Sequence, residues 1–264
     1  MKKVVFGLVV LLFCTAHLRA QHADPDLPRW KMSGVLTWGY NQTAVSKNWT
    51  GTEEFVRAWQ SRLNLSAERE GEKTSWQNSF KIEYGESEIR DVTAVSLDLI
   101  EFNTVYTYKI YRFLQPYGSF YVLSQNNKFW DPVTYIESAG LDFVLLDNAI
   151  NTLRVRAGAA LKQYDDSVLG NTRNSGAQAI ANYSLLFHQS AKFTSEARFF
   201  ETFKEGENLR WENKLFLKTG PWFTTEFGYT VFYDRLRIPS HSWPNDIETL
   251  VYVALGFSFN MFQN

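Results

Sequence analysis

Cysteine is nearly missing from this sequence. Cys14 is the single example in 264 residues. That excludes an internal disulfide and any zinc site built from several thiolates. A surplus of one charge is also missing. The 27 Lys and Arg face 28 Asp and Glu, for a formal net charge of −1. Nothing in that balance calls for nucleic acid as a partner. Beyond the N-terminus no apolar run approaches the roughly 18 residues of a membrane-spanning helix. Helical periodicity is scarce as well. What is abundant is aromatic: 21 Phe, 13 Tyr and 9 Trp, or 16% of the chain. So many large apolar side chains exclude a disordered polymer.

The N-terminus reads as an export signal. Met1–Lys3 is positive, Val4–Cys14 is apolar throughout, and Thr15–Ala20 is a short polar stretch ending in a small residue before Gln21. This is the order of a secretory signal peptide. Its apolar run is too short to span a bilayer, which takes about 20 residues. An N-terminal anchor helix and lipidation of Cys14 are the alternatives. Leu12 and Phe13 argue against the second, since a small residue normally precedes a lipidated cysteine. The expected organisation is a signal peptide over 1–20 and one exported domain over 21–264. The mature chain then has no cysteine.

The remainder alternates with period two, the signature of strands. Val251, Val253, Leu255, Phe257 and Phe259 fall on one face, against Tyr252, Ala254, Gly256 and Ser258. Phe223, Phe227, Tyr229, Val231 and Tyr233 oppose Thr224, Glu226, Gly228 and Thr230. The same test predicts twelve strands, near 31–44, 54–69, 74–87, 96–110, 116–126, 133–146, 152–164, 177–189, 193–204, 208–218, 222–234 and 248–262. Connections after even strands are short. Those after odd strands are mostly long and polar, as in 45–53, 87–95, 165–176 and 235–247. Short turns at one end and long loops at the other fit a bacterial outer-membrane barrel.

Alternation alone does not say which face points inward. Volume does. Twelve strands with about five apolar residues each would overfill a small soluble barrel, whose interior holds only a few layers of side chains. The opposite face carries both charge signs, which suits an outer-membrane lumen. Glycines share that polar register (Gly39, Gly85, Gly140, Gly158, Gly228, Gly256), either to bend strands or to relieve crowding. Trp30, Trp38, Trp59, Trp76, Tyr84, Trp211, Trp222 and Tyr233 sit where interfacial girdles belong. The last strand ends in Phe262, near the C-terminus, as in the signal read by barrel-assembly machinery. The expected fold is all-β: a closed antiparallel transmembrane up-and-down barrel in the cell outer membrane. Outer-membrane lipid and lipopolysaccharide would surround it.

Several segments carry a family resemblance. They are the opening strand Gly34–Tyr40, the long second strand Phe55–Glu68, the central pair QPYGSFYVL (115–123) and ESAGLDF (137–143), and the series from Tyr183 to Phe259 with NLRWENKLFL (208–217). In order and pattern the chain resembles the DUF481 outer-membrane proteins, with DUF3078 the next nearest group. The resemblance implies a barrel without an established reaction and supplies no catalytic residues.

Chemistry is thinly represented. After the predicted cleavage only His22, His188 and His241 remain. His188 is expected to face the lumen near Ser190, in reach of strands bearing Glu196 and Arg198. His241 shares one polar loop with Ser240, Ser242 and Asp246, but catalytic triads are assembled across a fold rather than within seven residues. Asp165, Asp166 and Asp234 are loop carboxylates that could bind calcium weakly. The N-x-S/T contexts of Asn41, Asn48, Asn64 and Asn182 read as chance in a bacterial barrel. No enzyme, cofactor or metal is expected.

The candidate binding residues line the lumen. Arg154, Arg156 and Lys162 follow one another on the seventh strand, and Arg210, Lys214 and Lys218 on the tenth, with Arg198 on the ninth. Such rows draw anions through a pore. Glu83, Glu196, Glu212 and Glu226 could instead neutralise them in a plug. The leading expectation is a narrow passive channel or binding barrel for small polar or anionic solutes. The alternative is a structural, envelope-integrity barrel with a plugged lumen; a third, an outer-membrane enzyme acting on lipid or peptide, would need a cluster centred on His188 or His241. Carboxylates paired with every basic residue would favour the plug.

Overall fold

The computed structural model describes residues 30–43, 56–89, 92–125, 131–168, 170–203, 206–220, 222–234 and 248–259. The predicted signal peptide, His22, the His241 loop and Phe262 lie outside these residues. Twelve strands occupy the described chain. They are β1 (Trp30–Thr43), β2 (Val56–Glu70), β3 (Thr74–Ile89), β4 (Val92–Tyr108), β5 (Leu114–Ser124) and β6 (Val133–Asp147). The series continues with β7 (Asn151–Asp165), β8 (Thr172–His188), β9 (Ala191–Thr202), β10 (Glu207–Lys218), β11 (Phe223–Asp234) and β12 (Glu248–Phe259). Each pairs antiparallel with its sequence neighbour, and β1 pairs with β12 to close the barrel. Closure removes every free strand edge, so the ladder satisfies its own backbone groups, as a bilayer demands.

The sequence pattern sets which side faces out. On β12, Val251, Val253, Leu255, Phe257 and Phe259 are exposed, while Tyr252, Ala254, Gly256 and Ser258 are buried. On β1, Leu36, Trp38 and Tyr40 are exposed, and Val35 and Thr37 are buried. Large apolar groups therefore cover the exterior. Arg62, Lys81, Glu83, Asp142, Arg156, Arg198 and Glu226 are buried inside. An apolar outside and a charged inside define a membrane-spanning barrel.

Several details differ from the sequence expectation. β4 starts at Val92, so the long loop predicted over 87–95 is mostly strand. A register shift at Gly85/Glu86 offsets the pairing there and blurs the alternation. β8 begins at Thr172, five residues early, because the polar run 172–176 pairs with β7, and Gly176 also with β9. Tyr233 is buried rather than set in an interfacial girdle. Two glycines mark close strand approach. A Cβ on Gly140 or Gly158 would collide with the backbone of the neighbouring strand, and the two residues are direct partners. A Cβ on Gly228 would instead strike the Tyr252 ring. Close backbone approach and room for an inward ring are thus both served by glycine, at different places.

Candidate functional site

The lumen holds three layers. Toward the long-loop end lies a small apolar cluster of Tyr121, Ile136, Ala160 and Phe200, with Leu123 against it. Inward-facing positions on β5, β6, β7 and β9 supply it.

At mid-height a charged clasp crosses the barrel. β9 and β10 oppose Arg198 to Arg210 and Glu196 to Glu212. Like charges directly across a strand pair repel. Opposite charges along each strand answer part of this: Arg198 donates to Glu196 at 3.1 Å, and Arg210 donates to Glu212. The rest comes from the far wall. Lys81 on β3 and Glu101 on β4 are direct partners, and they face β10 across the lumen. Lys81 Nζ donates to Glu212 Oε1 at 2.7 Å, and Arg210 Nη1 donates to Glu101 Oε2 at 2.8 Å. Lys214 lies 3.1 Å from the other Glu212 oxygen. Glu212 therefore serves three cations. Glu83 joins the clasp to β2, standing 3.0 Å from Lys81 and 3.2 Å from Arg62 Nε. The Arg62 guanidinium lies 3.3 Å from the Tyr252 ring centroid. Tyr252 in turn donates to Glu226 at 2.5 Å.

The third layer lies on the β5–β8 wall, nearer the short turns. Gln115, Asp142 and Arg156 are successive register partners. Tyr117 and Gln178 are joined by a row that passes through Gly140 and Gly158. Asp142 has Arg156 Nε at 3.5 Å and Arg154 Nη1 at 3.9 Å, too far for hydrogen bonds. Arg156 donates instead to Gln77 at 3.1 Å, across to β3.

The expected residues divide accordingly. Arg198, Arg210, Lys214, Glu196 and Glu212 come together in the clasp, while Arg154 and Arg156 share Asp142 elsewhere. Glu226 pairs with Tyr252. Lys162 stands 5.9 Å from the Phe200 ring, above both groups. Lys218 is exposed at the strand end. His188 does not face the lumen. A register shift between Leu186 and His188 turns it out, where its Nδ1 contacts Ser190 Oγ at 2.8 Å. Asp166 accepts from Tyr164 OH and from the Val168 amide, holding its loop. No group of potential metal ligands occurs among the described residues. Sequence reasoning missed Arg62, Lys81, Glu101, Asp142 and Tyr252. Each sits in the polar register of its strand, so a full count of that register would have included them.

A family model described as "Protein of unknown function (DUF3078)" matches residues 40–128. That is the second of the two groups the sequence resembles; DUF481 is not matched. No curated protein matches the sequence. Among solved structures, the chain is similar to the translocator domain of autotransporter NalP from Neisseria meningitidis. The identity is 11%, coverage is 96% of this chain and 95% of that one, and the TM-score is 0.40. It is also similar to the COG4313 outer membrane channel from Pseudomonas putida F1, at 10% identity, 90% and 99% coverage, and TM-score 0.48. The NanC porin gives 10% identity, 86% and 97% coverage, and TM-score 0.43. At such values the likeness is one of barrel architecture and carries no residue correspondence.

Proposed function

We propose that the chain is an exported outer-membrane β-barrel, DUF481-like in strand order, with a lumen closed by its own side chains and a structural role in the envelope. The exposed apolar belt supports the membrane setting. One observation carries the closed lumen: Lys81–Glu212 and Arg210–Glu101 bond across the barrel at 2.7 and 2.8 Å. Wall-to-wall hydrogen bonds at that height leave no path between the partners. The acids and bases of this layer also balance closely, so it has little unspent charge to attract ions.

A second reading is a narrow channel for small polar or anionic solutes. It is favoured by Arg154 and Arg156, which share the single carboxylate of Asp142. Conductance separates the two. The refolded protein, shown to be folded by its heat-modifiable gel mobility, is placed in a planar bilayer. The closed-lumen reading expects silence from the native chain and openings from Glu212→Gln, which weakens the clasp at its hub. Steady anion-selective openings of the native chain, reduced in Arg154→Ala or Lys214→Ala, would overturn it in favour of the channel.

A further inference from the structure

We infer that three adjacent short turns, joining β4 to β5, β6 to β7 and β8 to β9, are seated in the phospholipid leaflet at their end of the barrel, while the β2–β3 turn beside them stands in water. Composition separates the two kinds of turn. Ile110, Tyr111, Phe113, Leu145, Ile150 and Phe187 are each more than half exposed. The neighbouring turn runs Glu70, Gly71, Glu72 and Lys73, with Glu72 and Lys73 exposed. The two kinds lie side by side, since the Lys109 amide donates to the Lys73 carbonyl at 2.8 Å. The Lys109 ammonium leans to the charged side, where it pairs with Glu70 and donates to the Gly71 carbonyl at 2.9 Å. The apolar turns are also joined to one another. Val144 donates to the Phe113 carbonyl at 3.0 Å, and Leu186 to the Ile150 carbonyl at 2.7 Å.

Two register shifts build this surface. The pairing of β6 with β7 skips Leu145, and that of β8 with β9 skips Phe187. A bulge adds one residue to its strand and re-aims the side chains beside it. Leu145 and Leu146 are accordingly both exposed, and so are Phe187 and His188. Strict alternation would turn one of each pair into the lumen. The shifts therefore trade lumen filling for a wider apolar exterior on both sides of β7.

A lipid surface is the occupant that fits. The apolar turns continue the lipid-facing belt without a break, through Phe143, Leu153 and Leu185 on the outward register of β6, β7 and β8. Their backbones also satisfy themselves, as they must at membrane depth. The Tyr111 amide donates to the Leu114 carbonyl at 3.2 Å, and Asn148 Oδ1 accepts from the Ile150 and Asn151 amides at 2.9 Å each. Arg112, exposed between Tyr111 and Phe113, is a long cation whose stem suits the apolar layer and whose head reaches the phosphates. Interfacial aromatics give the level. Trp30 and Trp76 stack with ring centroids 5.4 Å apart, and Trp76 is the register partner of Tyr106. Beyond Trp76 the chain becomes charged, at Lys73 and Glu72. Beyond Tyr106 it stays apolar, through Tyr108, Ile110 and Tyr111. The apolar wall is thus a turn taller over β4–β8 than over β2 and β3, and a bilayer meets unequal heights by tilt or local thickness. The inference concerns the outside of the barrel, so it stands whether or not the lumen conducts.

Site-directed fluorescence tests this, because Cys14 is the sole cysteine. On a Cys14→Ser background, Tyr111→Cys, Ile150→Cys and Phe187→Cys sample the three turns, and Glu72→Cys is the water-side reference. Each thiol carries an environment-sensitive fluorophore, and each protein is refolded into phosphatidylcholine vesicles with or without nitroxide-labelled acyl chains. The expected result is blue-shifted emission at the three apolar turns, strong quenching by the nitroxide lipid and severalfold less quenching by aqueous iodide than at Glu72. Heat-modifiable mobility identifies the folded variants, and any one turn position that folds suffices for the comparison. Iodide quenching equal to that at Glu72 would overturn the inference. So would protection from both quenchers, which would mean that protein, such as a second copy of the chain, covers the turns. A failure of the closed-lumen reading registers separately, as current across a bilayer.

Discussion

Two walls of the same lumen bury the same kinds of residue and treat them differently. On β3, β4 and β10, Lys81, Glu101, Arg210 and Glu212 form a circuit in which each ion meets an opposite one within bonding distance. On β5–β8, Asp142, Arg154 and Arg156 are equally enclosed, yet their nearest approaches are 3.5 and 3.9 Å. The first arrangement is rigid, because moving any member strands another. The second holds its carboxylate by longer contacts, with Arg156 bonded instead to Gln77. Burial alone thus says little about how a charge is held; the completeness of its hydrogen bonding decides how much is lost when a partner is removed.

The sharpest way to break this contrast is to remove the hub. Glu212→Ala leaves Lys81, Arg210 and Lys214 without their shared carboxylate. Breaking a buried ion pair costs about 3–5 kcal/mol, and a loss of that order is expected in urea unfolding of the micelle-bound barrel. Tyr252→Phe comes next. It removes the donor to Glu226, whose second oxygen is already unpartnered. A hydrogen bond to a charged group contributes about 1.5–3 kcal/mol, and the same unfolding assay should register a loss in that range. The loose wall should respond less. Replacing the whole triad, Asp142 with Leu and both Arg154 and Arg156 with Met, should be nearly neutral, within about 1 kcal/mol, since such exchanges of buried ion groups are often neutral or favourable. A cost as large as that of Glu212→Ala would erase the distinction between the walls. Least of all, Lys218→Ala at the exposed end of β10 should leave the unfolding midpoint where it was.

Most of the architecture was legible in the sequence, because a barrel wall is locally encoded. Phe223 to Tyr229 or Val251 to Phe259 needs only its own alternation to announce a strand and an outward face. The turn lengths then order the ends. The misses have local causes. The register shift at Gly85/Glu86 hid the true start of β4, and the one beside His188 reversed the direction assigned to that side chain. The clasp was beyond reach for a different reason. Arg210 and Glu212 were visible as lumen candidates, but their partners Glu101 and Lys81 lie more than a hundred residues earlier. Which strands face one another across a lumen depends on closure and stagger, and no short window of sequence contains that. Asp142 was quoted within ESAGLDF as a family-like segment, yet its meeting with Arg154 and Arg156 needed the β6–β7 register.

The opposed like charges of β9 and β10 have a bearing on assembly. As an isolated hairpin these strands would set Arg198 against Arg210 and Glu196 against Glu212, with only the along-strand neighbours to compensate. Lys81 and Glu101 arrive from β3 and β4, at the other side of the closed ring. The favourable energy of the clasp is therefore withheld until the wall has curled far enough to bring those strands opposite. Half-built barrels gain none of its cross-lumen part, Lys81–Glu212 and Arg210–Glu101. The charge pattern makes the final closure more favourable than the intermediate stages, and so raises the cooperativity with which the membrane-inserted chain commits to one complete ring.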